Sequence, residues 1–246
     1  MGKNKKIIIA GPCAIETKMQ FFETIESIYH DIDMIRCGVW KARTSPYSYS
    51  GQGEKALEWI QDAQEKYKIC CAIEIGTLNH LNLALKYQIR HFWIGARTTG
   101  NPFAVEEISQ NLKNKNVEIW IKNPIFPDLQ LWIGAIERFK KNKTNSIKLI
   151  HRGFFLENSK KYRNQPRWDL LKKIQKKYPK IPIICDPSHI SGKRTLIKGI
   201  CEKALKQKVD GLMIEVHQKP NKALSDSQQQ LSPKKFKKLL INLGLK

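Results

Sequence analysis

Ile181-Pro182-Ile183-Ile184-Cys185-Asp186-Pro187-Ser188-His189 is an apolar run that stops abruptly in ionisable and hydroxyl side chains. Ile181–Cys185 is too short for a helix and apolar on both faces, as in a strand buried on both sides of a parallel sheet. Downstream, Ile197, Ile200 and Ala204 fall on one helical stripe. The unit is strand, polar turn, helix, and it recurs in both directions. Apolar runs occupy Ile7–Ala10, Met34–Trp40, Ile69–Ile75, His91–Ala96, Glu118–Ile121, Ile147–Ile150 and Gly211–Val216. Amphipathic stripes separate them: Phe21/Ile25/Ile28, Ala56/Ile60/Ala63, Leu78/Leu81/Leu85, Val105/Ile108/Leu112, Trp132/Ile136/Phe139 and Leu171/Ile174/Tyr178. Phe236/Leu239/Leu243 closes the series.

Eight such units in 246 residues have the size and rhythm of a single α/β domain of the (β/α)8 TIM-barrel type. An open doubly wound sheet carries the same local pattern; the spacing favours the barrel without removing that alternative. No linker, low-complexity tract or internal repeat divides the chain, so residues 1–246 read as one domain.

Hydrophobic residues make up 41% and charged residues 27%, the balance of a chain that packs a core rather than a disordered one. No stretch approaches the ~20 apolar residues of a membrane helix. The N-terminus has basic residues but only the short apolar run Ile7–Ala10, too little for a signal peptide. A cytoplasmic protein is expected. Cys13, Cys37, Cys70, Cys71, Cys185 and Cys201 form no CxxC pair, and a reduced compartment fits better than a disulfide framework.

Lys plus Arg is 44 against 22 for Asp plus Glu, a net charge of +22. That excess favours anionic partners without choosing among nucleic acid, membrane and phosphorylated metabolites. Residues 138–180 hold fifteen Lys and Arg against Glu157 and Asp169. Lys172, Lys173, Lys176 and Lys177 fall opposite the Leu171/Ile174/Tyr178 stripe, however, and read as solvated surface. No nucleic-acid motif or interleaved aromatic stripe is present, so nucleic acid is not the expected partner.

The residues just past each apolar run carry the chemistry. Gly11-Pro12-Cys13 comes after the first and Lys41-Ala42-Arg43-Thr44-Ser45 after the second. The third carries Glu74 and the fourth ends at Arg97. Lys122-Asn123-Pro124 and His151-Arg152-Gly153 come after the fifth and sixth, Asp186 to His189 after the seventh. The eighth gives Glu215 and His217. In a barrel these ends converge on one mouth, where active sites of the fold are built. Cys13, His189 and Glu215 come from strands one, seven and eight, neighbours across the closure, and Asp226 in the following loop can join them. A thiolate, an imidazole and two carboxylates suit one borderline divalent ion such as Mn, Fe, Co or Zn. Lys41, Arg43, Arg97, Lys122 and Arg152 form a second set. Bare charge in a concave site is costly, so these cations call for a substrate bearing phosphate and carboxylate. The two sets read as cleanly separated. His217 shares the face of Glu215 and reads as its support; His151 points away from Arg152 and reads as structural.

The motifs Gly11-Pro12-Cys13, Lys41-Ala42-Arg43-Thr44-Ser45-Pro46, Ile94-Gly95-Ala96-Arg97-Thr98, Lys122-Asn123-Pro124, His151-Arg152-Gly153-Phe154, Cys185 to His189, Asp210 to His217 and Ala223-Leu224-Ser225-Asp226 stand in a telling order. From about residue 6 to residue 231 the chain resembles the 3-deoxy-D-arabino-heptulosonate 7-phosphate (DAHP) synthase family, of the short type I-beta kind. The resemblance implies a TIM-barrel transferase that condenses phosphoenolpyruvate with erythrose 4-phosphate, the first step of the shikimate pathway to chorismate and the aromatic amino acids. It implies Cys13, His189, Glu215 and Asp226 as metal ligands. Lys41, Arg97, Lys122 and Arg152 would hold phosphoenolpyruvate, with Lys41 close to the reacting centre. Arg43, Thr44 and Ser45 would line the erythrose 4-phosphate site. Glu74 and Asp186 match catalytic positions near the reacting water and the metal.

One departure stands in the sugar-phosphate loop. The family usually has Pro where this chain has Ala42, and the sister enzyme ketodeoxyoctulosonate 8-phosphate synthase, which takes arabinose 5-phosphate, resembles Lys-Ala-Asn-Arg-Ser-Ser there. The spacing of Lys41, Arg43 and Thr44-Ser45-Pro46 favours the four-carbon sugar. The ends leave no expected room for an appended regulatory or chorismate mutase domain. By analogy a homo-oligomer, dimer or tetramer, is expected, and a separate chorismate mutase could dock.

Overall fold

The computed structural model describes residues 5–144 and 146–246. The basic start of the chain, residues 1–4, lies outside them. Eight parallel strands close into a barrel in sequence order, β8 pairing with β1. The barrel is therefore the answer, and the open sheet falls. The strands are β1 (Ile7–Gly11), β2 (Met34–Cys37), β3 (Cys71–Ile75), β4 (His91–Ile94), β5 (Glu118–Lys122), β6 (Ser146–His151), β7 (Ile183–Cys185) and β8 (Gly211–Glu215). The outer layer comprises α1 (Lys18–Ile28), α2 (Glu54–Tyr67), α3 (Leu78–Lys86), α5 (Pro102–Asn111), α6 (Leu129–Lys141), α7 (Trp168–Lys177), α9 (Ile197–Lys206) and α10 (Pro233–Asn242), while the short α4 (Ala96–Thr99) and α8 (Pro187–Ser191) come directly after β4 and β7 at the mouth.

Side-chain alternation sorts the strands into two cores. Outward positions such as Ile35, Ile73, Phe92, Ile121 and Leu149 pack under the helices. Inward positions form a separate plug of Ile9, Ala72, Trp93, Trp120, Ile150, Ile184 and Met213. Because the period is two, the next inward residues toward the mouth are fixed. Glu74 follows Ala72, Lys122 follows Trp120, Arg152 follows Ile150, Asp186 follows Ile184 and Glu215 follows Met213. The charged layer thus sits directly on the apolar plug.

Three sequence expectations need correction. The apolar runs overshoot the strands: β2 stops at Cys37 rather than Trp40 and β4 at Ile94 rather than Ala96. Lys41 to Ser45 consequently lie in a loop, tied at its base by the Trp40–Gly51 bridge, and Arg97 lies on α4. In α3 the buried residues are Leu81 and Ala84, while Leu78 and Leu85 are only partly covered. Finally, Asp186-Pro187-Ser188-His189 is a helix start. Asp186 caps α8 by accepting the His189 N–H at 3.1 Å, with Pro187 in the first turn, where its missing N–H costs nothing. Two further expectations hold: all six cysteines are free, and Lys172, Lys173, Lys176 and Lys177 are exposed. No helix among the described residues is long and apolar enough to cross a membrane.

Candidate active site

At the closure between β1 and β8, Cys13 Sγ lies 3.0 Å from Asp226 Oδ2 and 3.1 Å from Ser225 Oγ. Ligand atoms of Cys13, Glu215 and Asp226 all fall within 4.8 Å of one another. His189 stands beside this group, Nε2 3.7 Å from Glu215 Oε1, and its Nδ1 rests 2.8 Å from Asp186 Oδ2. A carboxylate behind the ring fixes its orientation and turns Nε2 toward the cluster. Asp226 holds a left-handed backbone, φ 49°, a conformation Asp tolerates better than most residues.

The electrostatics fit a cation here. Burial and the neighbouring Glu215 push the Cys13 thiol up to about 12, against the pull of Lys41. Without a cation it therefore stays a thiol. Burial also lowers His189, leaving its imidazole neutral with a lone pair to give. Burial would raise the carboxyls of Glu215 and Asp226, but charged neighbours, Arg36 beside the first and Arg163 beside the second, help to lower both. Glu215 is fully buried, and its Oε1 has no hydrogen-bond partner among the described residues. Arg36 Nη2, 3.1 Å away, pairs with it by charge alone. One soft and three harder donors around an unfilled oxygen suit a borderline divalent ion.

The cationic set surrounds a cavity of about 530 Å³. Lys122 Nζ sits 3.3 Å from Asp186 Oδ2, and Lys41 Nζ donates to the Cys13 carbonyl at 3.0 Å. Arg152 Nη1 donates to Asn164 Oδ1 at 2.8 Å. Arg97 reaches Thr44 Oγ1 at 3.4 Å, and Arg43 binds the Tyr49 carbonyl and Ser225 Oγ. Thr44 and Ser45 are exposed on the rim. Burial lowers Lys122, with Asp186 opposing it, and lowers Arg152 to about 10, still charged at neutral pH. Glu74 accepts from Trp93 Nε1 at 2.7 Å. Its pocket exists because residue 95 is glycine: a Cβ there would meet Glu74 Oε1 at 2.2 Å. Burial opposes the ionised form of Glu74, but Lys122 and Lys41 overcome it.

The expected clean separation of the two sets is wrong. Arg36–Glu215, Lys122–Asp186 and Lys41–Cys13 interleave them, because alternate strands of a closed barrel contribute to one layer. All the expected site residues converge on this mouth. His217, past the C-terminal end of β8, does not act as the expected support of Glu215: its Nδ1 accepts the Lys219 N–H at 2.9 Å and its Nε2 is 3.6 Å from Glu16. His151 is buried outside the barrel against Trp132, Phe154 and Trp168.

Sequence reasoning missed two cations. Arg36 is 1% exposed, with Nε and Nη1 unpartnered among the described residues. An arginine inside an apolar strand was the available signal. Arg163 donates to Asp226 Oδ1 at 2.6 Å and to Gln229 Oε1 at 3.0 Å. It comes from the long loop after β6, and no spacing rule marks it.

A closed parallel barrel with a thiol–imidazole–carboxylate cluster and a crown of cations at its C-terminal mouth defines an anion-handling barrel enzyme. The chain belongs to the DAHP synthetase I family, whose sequence profile matches residues 1–244. It is 30% identical over 241 residues to phospho-2-dehydro-3-deoxyheptonate aldolase of Thermotoga maritima, covering 98% of this chain and 69% of that one. It is 22% identical over 267 residues to 2-dehydro-3-deoxyphosphooctonate aldolase of Desulfotalea psychrophila, covering 96% and 88%. The crystal structure of the Thermotoga maritima DAHP synthase matches with a TM-score of 0.87 at 28% identity, over 99% of this chain and 69% of that one. A truncated form of the enzyme from that organism matches at 0.83 and 26%, over 99% and 87%. The family and the barrel expected from the motifs are both borne out.

Proposed function

We propose that the barrel condenses phosphoenolpyruvate with erythrose 4-phosphate to give DAHP and inorganic phosphate, opening the shikimate pathway. One observation carries this reading. Around the mouth stand seven cations (Lys41, Arg43, Arg97, Lys122, Arg152, Arg163 and Arg36) against the four carboxylates Glu74, Asp186, Glu215 and Asp226. Such an excess beside a ligand cluster suits two anionic substrates that repel each other in water. Holding them together converts a bimolecular encounter into an oriented one.

Lys122, Arg152 and Arg97 are assigned the phosphate and carboxylate of phosphoenolpyruvate; Arg43, Thr44 and Ser45 the phosphate of the sugar. Cys13, His189, Glu215 and Asp226 would hold a divalent ion, which supplies Lewis-acid polarisation of the aldehyde oxygen. Carbon 3 of phosphoenolpyruvate attacks the aldehyde carbon, and Lys41, near the reacting centre, stabilises the charge that develops. Water adds at carbon 2, giving its proton to Glu74, which Trp93 orients. The proton passes on to the new alkoxide. Carbon–oxygen cleavage at carbon 2 then releases phosphate, the carbon 2 hydroxyl passing its proton to the departing phosphate as the ketone forms. Asp186 orients His189 and holds Lys122 in place.

The test is phosphate release with erythrose 4-phosphate and with arabinose 5-phosphate, each with and without a chelator. Turnover with the four-carbon sugar alone, lost on chelation, is expected. Preference for arabinose 5-phosphate would overturn the substrate assignment. Loading Mn should also release about one proton per ion, since the Cys13 thiol must ionise to ligate. Calorimetry in buffers of different ionisation enthalpy reads this, and Cys13→Ser should abolish it.

A further inference from the structure

Beside the substrate chamber lies a second cavity of about 470 Å³, between the loop after β6 and the loops after β7 and β8. Its size is that of a small-molecule site. Lys160, Lys161 and Lys193 line it together with Arg163, and among the described residues Asp226 is its one acid. Asp226 is already engaged by Arg163 on one oxygen and by Cys13 on the other. None of the three lysines has an ion-pair partner among the described residues, as is true of most lysines in a chain with twice as many cations as acids; what sets these three apart is that they line one cavity. The cavity therefore concentrates positive charge that the protein itself does not neutralise.

Its walls are held in place. Phe154 and Gln165 exchange backbone hydrogen bonds at 2.8 and 2.7 Å, closing the loop that carries Lys160 to Arg163. The Asn164 N–H donates to the Ile190 carbonyl at 3.1 Å and pins that loop to α8. Tyr162 organises the rim. The Lys161 ammonium lies 5.5 Å from its ring and the Lys203 ammonium 5.9 Å, and Lys203 also donates to its hydroxyl at 3.3 Å. Gly192, at φ 67°, forms the floor: a Cβ there would meet Arg163 Cβ at 2.6 Å. Only glycine lets the Arg163 stem run between the two cavities.

We infer that this cavity is a second anion-binding site, for a small phosphorylated or polycarboxylated metabolite, separate from the substrate chamber and divided from it by Arg163. Exposed ammonium groups give up little hydration on binding, so the attraction is moderate and sensitive to salt. Arg163 makes the site more than a surface patch. The same guanidinium that faces the cavity holds Asp226, and through Gln229, which donates to Glu215 Oε2 at 2.7 Å, it touches a second residue of the thiol–carboxylate cluster. An anion seated there competes with Asp226 for Arg163 and so acts on that cluster without entering the substrate chamber.

The site is independent of the reaction proposed above, and its test needs no turnover. Inorganic phosphate is titrated calorimetrically into metal-loaded Arg43→Met protein saturated with phosphoenolpyruvate; the substitution removes the sugar-phosphate contact, phosphoenolpyruvate occupies the rest of the front chamber, and both arms use this background. One phosphate per chain is expected to bind still, more weakly at higher KCl concentration. Lys160→Gln/Lys161→Gln/Lys193→Gln should weaken it by about tenfold or more, three exposed charge contacts being lost, with unchanged thermal stability and phosphoenolpyruvate binding. A second arm uses Lys122→Met/Arg152→Met, which removes front-chamber cations and must keep the phosphate. Failure of phosphoenolpyruvate to bind would sink the reaction assignment and leave this second arm decisive. No phosphate bound in either arm, or equal binding by the triple variant, would overturn the site.

Discussion

The two ends of the barrel interior treat charge in opposite ways. At the floor, two residues before the plug, Glu118 on β5 meets Lys148 on β6. Its carboxylate also accepts Trp120 Nε1 at 2.6 Å and Ser146 Oγ at 2.8 Å. Both carboxylate oxygens are answered by the protein, and one acid meets one base. Beyond the same plug, the mouth gathers seven cations around four carboxylates and leaves Arg36 Nε and Nη1 and Glu215 Oε1 without hydrogen-bond partners among the described residues. The same period-two alternation sets the floor and the strand-borne part of the mouth (Arg36, Glu74, Lys122, Arg152, Asp186 and Glu215), to which loops and α4 add Lys41, Arg43, Arg97, Arg163 and Asp226. A buried charged cluster is thus no sign of function by itself; the unbalanced one is. Leaving buried polar groups unanswered costs stability, and that cost is sustainable where a ligand supplies the missing partner.

Breaking a pair at each end separates the two roles. The largest effect is expected from Arg36→Met, which strands the Glu215 carboxylate in a fully buried position. Loss of one partner from a buried ion pair costs about 3–5 kcal/mol. Chemical denaturation of metal-free protein should show it. Added Mn should recover part of the loss, and the double variant Arg36→Met/Glu215→Gln should recover most. No recovery in either would break the claim that charge imbalance is what the mouth stores. Next, Lys122→Met should lower kcat/KM by about 10²–10³-fold, the size of a lost transition-state donor, whereas Lys148→Met at the floor should leave kcat/KM unchanged. Equal losses at both ends would erase the distinction. Smaller again, Glu118→Gln should cost about 1–3 kcal/mol of stability, the penalty of leaving buried partners unanswered, with full activity in a coupled assay.

The same physics decides how much of the molecule was legible in the sequence. The barrel was legible because strand and helix periodicities are local, and eight repeats of one local pattern have few global solutions. The mouth was legible wherever a charged residue stands within two residues of the end of an apolar run, as Lys122, Arg152, Asp186 and Glu215 do. Arg36 escaped because it lies within the run, where a reading by strand ends does not look, although it faces the same layer. Arg163 escaped because long-loop geometry has no period. The helix begun by Asp186-Pro187 was hidden behind the chemistry of His189, even though Asp followed by Pro is a capping signal in its own right. The pairing of the two charge sets was invisible because register around a closed barrel is a global property: which acid faces which base depends on all eight strands at once.

His151 offers the finest division, between the two faces of a single strand end. It precedes Arg152 by one residue, so it stands at the mouth in sequence and outside the barrel in space, packed 5.2 Å from the Trp168 ring and 5.9 Å from Phe154. Burial lowers its imidazole to about 4, from an ordinary 6.5. The unfolded chain therefore takes up a proton as pH falls through about 6.5, and the folded chain does not until about 4. This residue's contribution to stability is full above pH 6.5 and is lost progressively as pH drops toward 4. His151→Phe should flatten the stability–pH curve in that window by up to one proton, read from urea midpoints at pH 7, 6, 5 and 4.5. Activity at pH 7 should stay unchanged, because the substituted ring remains on the apolar side of the wall. An unaltered acid limb would show that burial there does not hold the ring neutral. A loss of kcat/KM as large as that of Lys122→Met would show that the wall between helices and mouth does not insulate the two.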